Sequence, residues 1–357
     1  MREVVADLPE IMFSMKGSAM LFHRMRTDWK NWVIYAFRLS IASSLAIYAA
    51  DLLKLQFSTQ AGVICLFSML STTKDTLKLS VARLLSFVIT FVAAWITFHH
   101  ISSEWVAFGV YIFVTVIFSE MYGWGAALSA NVVAGCHFLS VESFTTDIII
   151  NEFYIVLTGL LFALIFNLFR DTDRTKAVLE KNIEEVQKKM QIVLDEMAEY
   201  LYSQGADQDV WPILDDLQNF LEKAIITASE YEGNSFEDDA KYYVRYFEMR
   251  RSQCVILVNL HEELTKIKYI PKQSAVIIEY LHYLRAFVTE MNVPDQQIRN
   301  LQKIFERMRK DELPITREEF ESRAVLFHVL MDLDDFLSIK KRFIESGAVK
   351  HINVKYI

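Results

Sequence analysis

The sequence predicts an all-α protein in which a six-span transmembrane helical bundle is followed by a cytoplasmic helical bundle domain. Charges are scarce and apolar runs are frequent between residues 32 and 169, whereas Asp, Glu, Lys and Arg recur every few residues from Arg170 onward. Hydrophobic residues make up 53% of the chain, which is a high fraction for a soluble protein. No segment alternates as a β-strand does, so both halves are predicted to be helical.

Six apolar segments are predicted to cross a membrane, because a crossing helix needs about 20 mainly apolar residues. They are Trp32–Leu53, Phe57–Leu70, Leu79–Phe98, Trp105–Phe118, Gly123–Leu139 and Phe153–Phe169. The second of these is shorter than the first and the third. We therefore predict a cytoplasmic N-terminal segment at 1–31, a transmembrane domain at 32–169 and a cytoplasmic helical domain at 170–357.

The orientation of the bundle follows from its Lys and Arg residues, since positively charged loops stay in the cytoplasm. These residues precede the first span, separate the second from the third and follow the sixth: Arg24, Arg26, Lys30, Lys74, Lys78, Arg170, Arg174 and Lys176. Apart from Lys54, the other loops lack them. The pattern predicts a multi-pass protein of the cell membrane with both termini in the cytoplasm.

Periodic apolar residues predict six helices in the second half. The segments are Asp171–Gln204, Asp209–Tyr231, Asp238–Ile267, Gln273–Met291, Pro294–Lys310 and Thr316–Ser346. In the first of them, apolar residues recur at steps of three and four between Leu179 and Leu201, which is typical of one buried helix face. Thr316 and Glu319 have the spacing of a capping box at a helix start.

Composition and motifs exclude several classes of function. The formal net charge of -8 offers no basic face for nucleic acid. Phosphate-binding glycine loops, HExxH and GxSxG are all absent, so we expect neither an enzyme nor a cofactor. The three cysteines have no CxxC spacing. The charged residues next to His261 are predicted to form a solvated helix face and not a metal site.

Two arginines inside predicted spans are the strongest candidates for a functional role, because a charge in the bilayer is costly. Arg38 lies about two turns into the first span, and Arg83 lies about one turn into the third. If both face a common interior, they form an anion-attracting vestibule on the cytoplasmic side. The alternative is that each side chain snorkels to the cytoplasmic headgroups.

The fifth predicted span is rich in Gly, Ala and Ser, which lets helix backbones approach closely and predicts a helix buried among the others. Asn131 and His137 on this helix are candidates for an anion path, or alternatively for hydrogen bonds between helices. Asp51 and Glu120 lie close to predicted span ends. They are candidates for a proton relay, although carboxylates at helix ends are usually solvated.

Several stretches resemble the bacterial aromatic acid exporter family, within the fusaric-acid-resistance-like superfamily. WVIYAFRLSIASSLAIYAADLLKLQFS is similar to the first span of that family, KLSVARLLSFVITFVAAW to the third and NEFYIVLTGLLFALIFNLF to the sixth, with Gly159 and Asn167 placed as expected. KYYVRYFEMRRSQCVILVNLHEEL and ESRAVLFHVLMDLDDFLSIKKRF resemble the C-terminal domain of the Gram-positive branch. The chain lacks the proline that this pattern usually has near Phe57–Gln60.

The resemblance implies an exporter or channel for small organic anions, in particular aromatic carboxylates. Similar bundles in plant malate channels are dimeric anion pathways, which implies a homodimer and a role for Arg38 and Arg83 in the path. The expected partners are then the lipid bilayer and an organic anion. An alternative from another class is a membrane-anchored regulatory protein whose helical domain binds a cytoplasmic partner, since amphipathic seams suit either use.

Overall fold

The computed structural model describes residues 29–140, 145–168, 172–203 and 209–347, and every regular element in these ranges is helical. The all-α prediction is therefore confirmed for this part of the chain. The predicted N-terminal segment with Arg24 and Arg26 lies outside it, apart from its last three residues, and so does Arg170. The chain divides into two compact units, Met1–Arg170 and Asp171–Ile357, and each has its own apolar core.

The described residues of the first unit contain six α-helices. They are α1 (Trp29–Leu52), α2 (Thr59–Met69), α3 (Thr73–His100), α4 (Glu104–Met121), α5 (Leu128–Ser140) and α6 (Thr146–Leu168). A single 3₁₀ turn, Gly125–Ala127, precedes α5. The short helix α2 packs against both α1 and α6, and α3 packs against α4, α5 and α6.

Hydrogen bonds between helix ends show that α1 and α3 run antiparallel to α6, whereas α2 runs parallel to it. Asn167 near the end of α6 donates to Thr76 Oγ1 at the start of α3 (2.7 Å), and Thr76 donates to the Ser68 carbonyl near the end of α2 (3.0 Å). At the opposite end, Asn151 at the start of α6 pairs with the Gln56 backbone between α1 and α2. We call the end with Ser68, Thr76 and Asn167 the first end of the unit, and the end with Gln56 and Asn151 the second end.

The prediction of six full-length spans is wrong. In the described residues, only α1, α3, α4 and α6 are long and apolar enough to cross a membrane. The 11 residues of α2 and the 13 of α5 cover about 16 and 20 Å at 1.5 Å per residue, against a hydrocarbon thickness of about 30 Å. Left-handed backbone at Phe57 and Gly123 turns the chain before these two helices begin, which apolar composition does not reveal.

Two of the long helices begin about two turns earlier than the predicted spans. Helix α3 starts at Thr73, where the Thr72 hydroxyl accepts a hydrogen bond from the Asp75 amide (3.3 Å), as a capping residue does. Helix α6 starts at Thr146 and not at Phe153. Glu152, predicted to lie in an outer loop, is therefore inside a helix and 2% exposed.

A glycine permits the close approach of α2 and α6. A Cβ built on Gly159 would lie 2.6 Å from the Ala61 carbonyl oxygen and 2.9 Å from Ile64 Cβ, both on α2. Gly109 on α4 has no atom within 4 Å of the same position. The two glycines are therefore a matched pair for testing how tightly the bundle is packed.

We expect Gly159→Ala to destabilise the first unit, because the two helix backbones must separate and overpacking costs about 1–3 kcal/mol. Gly109→Ala should leave stability unchanged or raise it slightly, since alanine is the better helix former. The measurement is the thermal unfolding midpoint of the detergent-solubilised protein. Equal midpoints for the two variants would contradict the close α2–α6 contact.

The second unit contains α7 (Thr172–Tyr202), α8 (Trp211–Asn234), α9 (Ala240–Thr265), α10 (Ser274–Arg285), α11 (Asp295–Lys310) and α12 (Arg317–Glu345). The predicted seam of α7, from Leu179 to Leu201, is buried in its core. The predicted cap at Thr316 is present, because the Thr316 hydroxyl accepts from the Glu319 amide (3.1 Å). The Glu319 carboxylate accepts from the Ile315 amide (2.9 Å), one residue before the N-cap residue that a capping box uses.

Candidate functional site

Arg38 binds the end of α6 at the first end of the unit. Its Nη2 donates to the Asn167 side-chain oxygen (3.2 Å) and to the Phe166 carbonyl. The last carbonyls of a helix lack intrahelical partners and carry partial negative charge, so a guanidinium is stabilised there. The Arg38 side chain therefore reaches from α1 to a polar helix terminus inside the bundle.

Arg83 is 2% exposed and lies against protein, not lipid. Its Nη1 donates to the Ser68 hydroxyl and to the Ile64 carbonyl (3.4 Å), both on α2. Long side chains on a helix point back toward its N-terminus, so the Arg83 head group lies nearer to the first end than its Cα does. Both of these acceptors are neutral groups.

Hydrogen bonds join the two arginines through three intervening residues. Arg38 contacts Asn167, Asn167 donates to Thr76, Thr76 contacts Ser68, and Ser68 accepts from Arg83. We call these five residues, from α1, α6, α3 and α2, the arginine line. The structure thus brings the two predicted arginines into one network at the first end, in which Arg83 is buried and Arg38 is half-buried.

Asn131 lies deeper in the bundle. It is 5% exposed, its side-chain oxygen accepts from the Ser86 hydroxyl (3.3 Å), and its carbonyl accepts from the Tyr111 hydroxyl. Ser86 follows Arg83 by one turn of α3, so Asn131 continues the polar groups beyond the arginine line. A narrow crevice here is lined by the polar residues Ser86, Thr90, Thr115, Ser119 and Asn131, with Ile89, Phe118 and Trp124.

His137 lies at the second end and forms a buried pair with Glu152. The His137 Nδ1 and Glu152 Oε1 atoms are 3.0 Å apart, and the two residues are 8% and 2% exposed. The Phe57 ring stacks on the imidazole with centroids 4.1 Å apart. Sequence reasoning missed Glu152, because the predicted start of the last span left it in a loop.

The four residues predicted for an anion site therefore do not meet at one point. Arg38 and Arg83 lie in the arginine line, Asn131 lies about one to two helical turns further along the bundle, and His137 lies at the second end. Their separation along the helices suits a path better than a single pocket.

The two carboxylates predicted for a proton relay lie apart from these groups. Asp51 is exposed near the end of α1, and Glu120 is exposed near the end of α4. Three residues of the arginine line, Ser68, Thr76 and Asn167, were not predicted as site residues. Ser68 and Thr76 are signalled in the sequence only as polar residues within or next to apolar runs, whereas Asn167 also has the position expected from the family resemblance.

The first unit has an apolar outer surface, whereas its core contains polar groups. Phe37, Val88 and Phe113 are 66%, 60% and 66% exposed on α1, α3 and α4, which is unfavourable in water and expected against lipid. Four apolar helices of spanning length, with the polar side chains turned inward, define a multi-pass membrane protein.

Comparison with known proteins identifies the family. A family model described as "Aromatic acid exporter family member 1" matches residues 34–170, and another described as "Putative aromatic acid exporter C-terminal domain" matches residues 176–341. The chain belongs to the aromatic acid exporter family, a family of membrane transporters. The resemblance inferred from the sequence is thereby confirmed.

Two individual proteins are similar to this one. "Uncharacterized protein YqjA" of Bacillus subtilis (strain 168) is 26% identical over 305 residues, which is 85% of this chain and 94% of that protein. Among solved structures, "Crystal structure of putative membrane protein from Clostridium difficile 630" shares 23% identity, with a TM-score of 0.42, over 47% of this chain and 99% of that chain.

Proposed function

We propose that this protein moves small organic anions, with aromatic carboxylates as the substrate class, out across the cell membrane. The observation that supports the proposal is the arginine line, in which the buried guanidinium of Arg83 and the half-buried guanidinium of Arg38 lie among apolar helices. A buried charge is costly in a membrane and is kept where it has a function. The planar guanidinium matches a carboxylate better than any other side chain does.

The proposed orientation places the first end of the unit in the cytoplasm, together with both termini. Residues 1–31 then form a cytoplasmic segment, residues 32–169 the membrane domain and residues 170–357 a cytoplasmic domain. Lys74 and Lys78 lie at the start of α3, at the first end, and the rule that basic loops stay inside supports this orientation. In this orientation, Arg38 and Arg83 collect anions at the cytoplasmic mouth.

The remaining polar groups extend the proposed path outward. An anion leaving Arg83 meets the hydroxyl and amide groups around Asn131 and then the His137–Glu152 pair at the second end. Asp51 and Glu120 stay predictions as a proton relay, and their exposure makes them poorer candidates than His137 and Glu152. A buried imidazole and carboxylate in contact can exchange a proton with a passing carboxylate.

The proposal is tested by loading proteoliposomes with benzoate, 4-hydroxybenzoate or butyrate and measuring efflux after dilution. We expect efflux of the aromatic carboxylates above that of protein-free liposomes, with butyrate slower. Matched proteoliposomes loaded with neutral benzamide control for leak. Efflux no faster than in protein-free liposomes, with correctly inserted protein, would contradict transport.

One observation favours the alternative in which the second unit binds a partner. Between α11 and α12, the side chains of Leu313 and Ile315 are 87% and 92% exposed, and Phe320 is 60% exposed. Apolar side chains grouped in this way are typical of interaction surfaces. This alternative would be favoured if a stoichiometric soluble partner copurifies with the native protein but not with Ile315→Ser, and if no flux is measured.

Light scattering of the purified protein tests the homodimer implied by the resemblance.

A further inference from the structure

Two cationic side chains are buried together in the second unit, whereas the proposed transport path belongs to the first unit. Arg250 on α9 is 1% exposed, and Lys340 on α12 is 4% exposed. Both lie near the same aromatic ring, with Arg250 Cζ 5.2 Å and Lys340 Nζ 5.7 Å from the centroid of Tyr246. Burying like charges side by side is unfavourable unless an anion compensates them.

The protein satisfies these two groups only in part. Arg250 Nε donates to the Tyr246 hydroxyl (3.1 Å) and Nη1 donates to the Gln253 side-chain oxygen (3.0 Å). Its Nη2 is buried, and no acceptor within the described ranges reaches it. Lys340 Nζ donates to the Glu290 carbonyl (2.8 Å), which uses one of its three protons.

A narrow cavity of about 20 Å³ lies beside both cations, and Gln253, Asn292, Phe287 and Phe336 are among the residues that line it. A cavity of this measure accommodates about one water molecule. An ion of similar size therefore fits, whereas an aromatic ring does not. The guanidinium Nη2 and the ammonium group are the donors that such an ion would meet.

We propose that this cavity is a binding site for a compact monovalent anion, either chloride or the carboxylate group of a slender ligand. Of the two cations, Lys340 responds more strongly to a bound anion. Burial lowers its pKa most and the nearby Arg250 guanidinium lowers it further, whereas Glu290 raises it by less, and the resulting pKa is about 7. A bound anion restores the charged ammonium and locks α9 to α12. The second unit would then be stabilised by small anions independently of transport.

The test measures the rate of thiol labelling in the full-length protein at one pH, residue by residue, by mass spectrometry. Cys254 is buried on α9 in the second unit, and Cys65 is buried in the first unit. Sodium chloride and sodium formate are compared with sodium gluconate at equal ionic strength, because gluconate is too large for the cavity. We expect labelling of Cys254 to slow about tenfold at a concentration ten times the dissociation constant.

Variants assign the effect to the cavity. Lys340→Met keeps the aliphatic packing and should abolish the protection of Cys254, as should Arg250→Gln. Lys303→Met, at an exposed position of α11, should retain it.

Protection by formate alone would identify a carboxylate site, and protection by chloride would identify a halide site. Equal labelling in chloride, formate and gluconate, or protection that survives in Lys340→Met, would overturn the proposal. Protection of Cys65 alone would report an anion in the first unit and would also overturn it, while leaving the proposed transport function intact.

Discussion

Arg83→Gln is expected to lower benzoate efflux from proteoliposomes about 10- to 100-fold. A hydrogen bond to a charged group contributes about 1.5–3 kcal/mol, and each 1.4 kcal/mol is a factor of ten in affinity. Glutamine can still donate to the Ser68 hydroxyl, so the contact between α2 and α3 is retained while the positive charge is removed. The loss should appear in efflux and not in the amount of folded protein.

Two companion variants separate charge from structure. Arg83→Lys keeps the charge without the planar fork and should retain part of the efflux. Lys78→Gln removes a charge from an exposed position on the same helix and should leave efflux within about twofold of the native rate. Efflux unchanged in Arg83→Gln, at equal insertion and equal thermal stability, would remove Arg83 from the path. Efflux lost equally in Lys78→Gln would point to the general surface charge instead.

The features that the sequence predicted correctly are those determined by neighbours along the chain. The seam from Leu179 to Leu201 depends only on spacing within one helix, and it is buried as expected. The Thr316 and Glu319 cap depends on residues three apart, and the Thr316 hydroxyl accepts from the Glu319 amide as predicted. Local signals of this kind are readable without knowledge of the tertiary fold.

The errors arise where the outcome depends on backbone geometry or on distant residues. Apolar composition alone could not show that α2 and α5 are too short for a full crossing, because the turns at Phe57 and Gly123 set where they begin. The partner of Arg38 is Asn167, 129 residues away, and no periodicity connects them. Glu152 was assigned to a loop for the same reason, since its burial follows from contact with His137 on another helix.

The burial of the two cations of the second unit could not be predicted from the sequence either. Arg250 and Lys340 belong to helices with charges on several sides, where a charged residue is usually solvated. Only the packing of α9 against α12 places both beside the Tyr246 ring. The burial of Lys340 has a consequence for stability that can be measured without any ligand.

We expect the second unit to become more stable as the pH rises from 7 to 9, by about 2 kcal/mol from Lys340 alone. The pKa of Lys340 is lowered from 10.5 to about 7 in the folded protein, while the unfolded chain keeps the ordinary value. Below pH 7 both states carry the proton, so the full cost of burying the charge is present. Between pH 7 and about 10 the folded state is neutral and the unfolded state still binds a proton, so the cost diminishes.

The measurement is hydrogen exchange of peptides from α9 and α12 in the full-length protein, corrected for the intrinsic exchange rate at each pH, with gluconate as the only anion. Other ionisable side chains lie near Lys340, in particular Tyr246, Glu290 and Arg250, and Tyr242 contacts Glu290. The difference between native protein and Lys340→Met removes their contribution.

Because methionine has no proton to lose, the stability that Lys340→Met gains over the native protein should be about 2 kcal/mol larger at pH 7 than at pH 9. The exposed Lys303→Met should show no such difference. A pH-independent gap between native protein and Lys340→Met would mean that Lys340 keeps an ordinary pKa, and that the two buried cations are already neutralised within the protein.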